Sequence, residues 1–194
     1  MPQALSRADS VRELERLAIE EHAISGFELL QRASAAALAL LQARLPGVSK
    51  IAVICCDGNN GGDVYVLSAL EARQGIDVDL FGLAHVQSLR GDALRARQMA
   101  EREGLEVRPR IEPLADDVEA LVDALLGTGL QGDVRPDCVA VIAAVNRSGL
   151  PVLALDITSG LCSDTGRVLG AAVRAHWTMS VIGLKQGMFT GQGR

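Results

Sequence analysis

Two kinds of apolar pattern alternate along this chain. Short, largely apolar runs read as strands: Lys50–Cys56, Ile76–Leu83, Leu105–Arg108, Ala120–Leu126, Pro151–Asp156 and Trp177–Leu184. Between them lie segments in which apolar residues recur every three or four positions, predicting helices over Val64–Arg73, Leu89–Glu103 and Val139–Arg147. Two helices precede the first strand. Ser10-Val-Arg-Glu13 has the form of a capping box, and Val11, Leu14, Leu17 and Ala18 follow at helical spacing. Gly26 interrupts, Phe27–Arg44 forms a second helical run, and Leu45-Pro46-Gly47 stops it. Buried strands alternating with amphipathic helices predict a parallel sheet covered on both faces. The expected architecture is a three-layer α/β/α sandwich with a mostly parallel central sheet, in one domain over residues 1–194, with an N-terminal helical lead-in.

Composition sharpens this picture. Apolar residues make up 48% of the 194 positions but aromatics only 3%, so the core is aliphatic, as close helix–sheet packing prefers. The net charge of −5 argues against nucleic acid as a partner. No apolar run approaches the roughly 20 residues that cross a bilayer, so no membrane partner is expected. Met1–Ser10 is too polar for a secretory signal. Cys55, Cys56, Cys138 and Cys162 form no CxxC pair and read as reduced thiols of a cytoplasmic protein.

In an open α/β sheet, ligands bind beyond the carboxyl ends of the strands. Three unusual loops fall there: Asp57-Gly-Asn-Asn-Gly-Gly-Asp63, Gly127-Thr-Gly-Leu-Gln-Gly-Asp133 and Asp156-Ile-Thr-Ser-Gly160. Asn and Gly also serve ordinary tight turns. Three glycines and two asparagines in seven residues exceed what a turn requires, and backbone N–H groups at a helix mouth suit phosphate. The second loop is a literal G-x-G-x-x-G, but Asp133-Val-Arg-Pro136 separates it from the next helix, unlike a standard dinucleotide fingerprint. Asp123 sits inside an apolar run, where a carboxylate needs a partner, a cation or a shifted pKa. Oxygen donors from Asn60, Asp123 and Ser159 suit a hard cation better than a transition metal. His22, His85 and His176 have no metal-ligand spacing, and neither a G-x-S-x-G elbow nor a P-loop is present. Lys185, one of only two lysines, reads as an exposed loop residue or a phosphate contact.

Taken together, Gly58-Asn-Asn-Gly-Gly-Asp63, Asp123-Ala-Leu-Leu-Gly-Thr-Gly129, Gly132-Asp-Val-Arg-Pro136, Asp156-Ile-Thr-Ser-Gly160 and Gly183-Leu-Lys-Gln-Gly187 resemble the NAD(P)H-hydrate epimerases, the YjeF N-terminal-domain family. Leu29-Leu-Gln-Arg-Ala33 is similar to that family's N-terminal helix, and the likeness runs in order along essentially the whole chain. The resemblance implies a Rossmann-like fold and an isomerase that interconverts the R and S forms of NADHX and NADPHX, in which water has added at C6 of the reduced nicotinamide ring. It implies a homodimer and one potassium ion per subunit, held by Asn60, Asp123 and Ser159. The ligand would contact Asn59, Asn60, Gly61, Gly62 and Asp63 in the first loop. In the second it would contact Gly127, Thr128, Gly129, Leu130, Gln131, Gly132 and Asp133, with Asp156 in the third. Asp156 is then the expected proton carrier and Asp123 an ionised ligand of the cation.

The chain departs from the family pattern at several places. Cys56 and Asp57 replace a usual Gly-Pro, Ser34 a usual glycine and Thr158 a usual proline. Val64 stands where glycine is usual after Asp63, and its bulk is expected to crowd the mouth of the pocket. The chain ends at Gly191-Gln-Gly-Arg194, short of the family's closing segment. The family domain is often fused to a dehydratase, and none is expected within residues 1–194. Two other functions compete: an NAD(P)-dependent oxidoreductase using Gly127–Gly132 as its fingerprint, and a non-catalytic nucleotide- or protein-binding module on the same fold.

Overall fold

A computed structural model describes residues 4–22, 24–56, 61–83, 89–109, 111 and 114–193. Strand β1 (Leu5–Ser6) leads into α1 (Ala8–Glu20) and α2 (Gly26–Arg44). Alternation follows: β2 (Lys50–Cys55), α3 (Gly61–Arg73), β3 (Asp77–Gly82), α4 (Gly91–Arg102) and β4 (Val107–Arg108). The second half comprises β5 (Ala120–Ala124), α5 (Pro136–Ser148), β6 (Val152–Leu155), β7 (Trp177–Met179) and β8 (Leu184–Lys185). Two short 3₁₀ turns, Gln186–Phe189 and Gly191–Gly193, follow.

Six strands form one sheet in the order β4-β3-β2-β5-β6-β7, and every pairing in it is parallel. The chain winds outward from β2 to β4, returns to the middle, and winds the other way from β5 to β7. This is the doubly wound order, with its switch point between the carboxyl ends of β2 and β5. Alternation along β2 shows how the layers are divided. Ile51, Val53 and Cys55 face a core shared with α2, α3 and α4, whereas Ala52 and Ile54 face a core shared with α5. A strand buried on both faces is why the run Ile51–Cys55 carries no polar residue.

The structure refines several expected boundaries. Trp177–Leu184 is not one strand: β7 ends at Met179, and β8 joins β1 in a separate two-stranded parallel sheet. The break contains Ile182, a β-branched residue at φ 64°. Helix α1 begins at Ala8, so Ser10 lies inside it and does not cap it. The cap comes from far along the chain, since the Ala8 N–H donates to Asp164 Oδ1 at 2.8 Å. Helix α3 begins at Gly61, three residues before its expected start. Helix α5 opens on Pro136, where a missing N–H costs nothing, and closes on Gly149 in the left-handed region. Among the described residues, no helix is long and apolar enough to cross a membrane.

Candidate active site

A cavity of about 530 Å³ opens at the switch point. Of the expected ligand contacts, Asp63, Gly127, Thr128, Gly129, Leu130, Gln131, Asp133 and Asp156 line it. Asn59 and Asn60 lie outside the described residues, as do Asp57 and Gly58. Gly132 is not on the wall; it makes a turn at φ 72°. Gly62 is buried against α2, where a Cβ would come within 2.9 Å of Leu30 Cδ1, so its small size serves helix packing. One wall has no mark in the sequence: α1 contributes Val11, Arg12 and Glu15 to the cavity.

Val64 corrects an expectation. It is fully buried in the core beneath α3 and does not touch the cavity. Beginning the helix at Gly61 sets its phase, turning Asp63 toward the cavity and its neighbour Val64 toward the sheet. Ser34, in place of the usual glycine, is also buried and donates from Oγ to the Asp63 carbonyl at 3.0 Å. It tethers the turn that carries Asp63 to α2.

Asp156 follows the last residue of β6 and has φ 68°. It is the middle of a three-residue turn in which the Ile157 N–H donates to the Leu155 carbonyl at 2.8 Å. Ile182 is the middle of a matching turn, with the Gly183 N–H donating to the Val181 carbonyl at 2.6 Å. Such turns are strained when the central residue is not glycine, and both line the same cavity. Lys185 joins them. Its side chain is fully buried, which overturns the expectation of an exposed loop lysine. The ammonium donates to Asp156 Oδ1, to Ser180 Oγ at 3.1 Å and to the Val181 carbonyl at 2.8 Å. Three acceptors match its three protons, so nothing remains for a phosphate. The Val181 N–H also donates to Asp156 Oδ1 at 3.3 Å.

Asp63 is the neighbouring acid. It is half-buried in the first turn of α3, a position that by itself favours the carboxylate. Burial outweighs this and, with the negative charges of Asp156 and Glu15, pushes its pKa up to about 7, the Lys185 charge only partly opposing them.

Asp123 lies fully buried in β5. Its Oδ1 accepts from Ser159 Oγ at 2.5 Å and from the Leu125 N–H at 3.3 Å, and its Oδ2 accepts from the Ser159 N–H at 2.9 Å. Burial pushes this carboxyl up and the three neutral donors pull it back. Two of the three expected cation ligands are therefore in contact, and the third, Asn60, lies outside the described residues. A buried carboxyl met only by neutral donors, among oxygen atoms, suits a hard cation better than a transition metal. On the far wall, the Arg135 guanidinium donates to Cys56 Sγ at 3.4 Å and Cys138 Sγ at 3.8 Å.

The order of these motifs along one cavity coincides with a family-wide match. Residues 26–187 match the family described as YjeF-related protein N-terminus. The chain belongs to that family. Its curated relatives include the "Bifunctional NAD(P)H-hydrate repair enzyme Nnr" of Coxiella burnetii, 44% identical over 93% of this chain and 37% of the relative. Another is the "NAD(P)H-hydrate epimerase" of Legionella pneumophila, 30% identical over 90% of this chain and 67% of the relative. The chain thus spans little more than a third of the bifunctional enzyme's length and about two thirds of the epimerase's. The crystal structure of the yeast protein YNL200c has the same fold, with a TM-score of 0.85 at 14% identity, over 97% of this chain and 85% of that one. The YjeF-related fold therefore accounts for both the sheet order and the cavity at its switch point.

Proposed function

We propose that this protein interconverts the R and S epimers of NADHX and NADPHX, as part of the repair of hydrated nicotinamide cofactors. The observation that carries this reading is Asp156, set on strained backbone at the wall of a cavity large enough for part of a dinucleotide and paired with the buried Lys185. The names of the Coxiella and Legionella relatives support the same chemistry. Loss of the C6 oxygen leaves a cation that the ring nitrogen stabilises, and return of water to the other face completes the exchange. The protein must then move a proton at that oxygen, and Asp156 is the group placed to do so. Arg12 and Arg135 on the cavity wall offer positive charge to the anionic parts of the ligand. The glycine loop Gly127–Asp133 offers backbone N–H groups.

Asn60, Asp123 and Ser159 would hold a potassium ion, one per subunit. Bound there, it would balance the Asp123 charge and fix the loop that presents Asp156. The protein would act in the cytoplasm as a homodimer. An oxidoreductase reading has less support, because the loop Gly127–Gly132 does not open directly into α5 as a dinucleotide fingerprint does.

The direct test is to supply pure S-NADHX and follow R-epimer formation by chromatography. Asp156→Asn keeps the shape but cannot carry a proton, and it should slow exchange by about 10²-fold or more with little change in KM. Wild-type exchange in this variant would remove Asp156 from the mechanism. Crystals soaked in rubidium should show anomalous density among Asn60, Asp123 and Ser159. A tetrahedral transition metal there, or no density, would contradict the cation assignment.

A further inference from the structure

The ion pair with Lys185 leaves the epimerisation one proton short. An Asp156 carboxylate bound to an ammonium has no proton to give, yet the reaction begins by protonating a hydroxyl so that it can leave. Asp63 is the other carboxyl on the cavity wall. It stands in the first turn of α3, whereas Asp156 follows the end of β6. The two carboxyls thus reach one cavity from different elements, a helix start and a strand end. The charged groups facing Asp63 are Glu15 from α1, Asp156 beyond β6 and Lys185 on β8. Arg12, Asp133 and Arg135 stand elsewhere on the same wall.

We infer that Asp63 is a second proton carrier working with Asp156, one acid protonating the hydroxyl that leaves and the other taking the proton of the water that attacks. This rests on the epimerase reading above. The Asp63 carboxyl gives its proton to the C6 hydroxyl. The C6–O bond breaks, its electron pair leaves with water, and the positive charge spreads to the ring nitrogen. A second water attacks C6 from the opposite face, the new C6–O bond forms, and its surplus proton passes to the Asp156 carboxylate. The enzyme is left with the two protonation states exchanged, ready for the reverse reaction. It is reset when the proton returns from Asp156 to Asp63 through water. No redox partner is needed. The raised pKa of Asp63 fits this role, since the acid must still hold its proton near neutrality.

The test compares wild type, Asp63→Asn and Asp63→Glu, following conversion of pure S-NADHX from about pH 5.5 to pH 9. Wild-type kcat/KM should fall on the alkaline side with a midpoint near 7. Asp63→Asn should lose about 10²-fold in kcat with KM within about threefold, and its alkaline limb should vanish. Asp63→Glu should recover at least about tenfold over the amide. Because burial disfavours the ionised form, Asp63 weakens the folded state increasingly from pH 4 to pH 7 and fully above it. Asp63→Asn should therefore melt no lower than wild type at pH 8. A wild-type profile flat through pH 7, a raised KM with unchanged kcat, or an alkaline limb retained in Asp63→Asn would overturn the assignment. If Asp63→Asn does not fold, the wild-type profile and the Asp63→Glu rate decide it. Absence of exchange by the wild type would instead sink the epimerase reading itself.

Discussion

Lys185→Met should lower the melting temperature by roughly 10 °C and abolish most epimer exchange. The ammonium is fully buried and its three protons go to Asp156, Ser180 and the Val181 carbonyl. Methionine keeps most of the volume but leaves a buried carboxylate without its cation and two oxygens without a donor. Breaking a buried pair from one side costs about 3–5 kcal/mol, and each kilocalorie shifts the midpoint of a domain this size by about 2–4 °C. Asp156 would also lose a contact that holds it at φ 68°, so the rate should fall along with stability. The double variant Lys185→Met with Asp156→Asn should be more stable than Lys185→Met alone, because the uncompensated charge is gone. Thermal melts of the four proteins measure this coupling. Unchanged melting in Lys185→Met, or strictly additive losses in the double variant, would mean that the pair does not hold the site together.

Gly160→Ala should be at least as damaging, by a different route. Gly160 has φ 88°, a region costly for any residue with a Cβ. An added Cβ would lie 1.9 Å from the Ala171 carbonyl oxygen, and backbone cannot rotate aside as a side chain does. Strain and forced displacement together should cost about 3 kcal/mol or more. Ser159, which hydrogen-bonds Asp123, is the preceding residue, so the displacement reaches the candidate cation site directly. The variant should melt well below wild type and lose alkali-ion binding even where it remains folded. A soluble Gly160→Ala protein with wild-type melting would show that residues 159–172 pack more loosely than the close approach implies.

The sheet was legible in the sequence because burial on both faces leaves a plain mark: Ile51–Cys55 and Ala120–Val122 are almost pure hydrocarbon. The meeting of Asp63, Thr128 and Asp156 at one cavity followed from the parallel topology. Asp123 stood out as the one acid in its strand, and it is buried against Ser159 as expected. Lys185 was missed because lysine almost never lies fully buried, and the prior favours solvent. Its only signal was scarcity, as one of two lysines in a chain whose other cations are arginines. The direction of Val64 depended on which residue begins α3, and a glycine pair does not reveal helical phase. Strands β1 and β8 are two residues each, too short to carry any period. The desolvation of Asp63 arises from α1, Asp156 and Lys185 meeting in space, and no local pattern records that meeting.

The pairing of β1 with β8 ties Leu5 to Leu184 and Ser6 to Lys185, nearly the two ends of the chain. Closing so long a loop costs entropy that only later contacts repay, and contacts of such sequence separation form late. The central sheet needs neither β1 nor β8 and can assemble while Lys185 is still in water. The strand that carries Lys185 gains its β-pairing only when the first residues reach it. The α1 wall arrives with them, through the link from Ala8 to Asp164. The scaffold is thus expected to form ahead of its chemistry, with the beginning of the chain acting as the latch on the proton-transfer site.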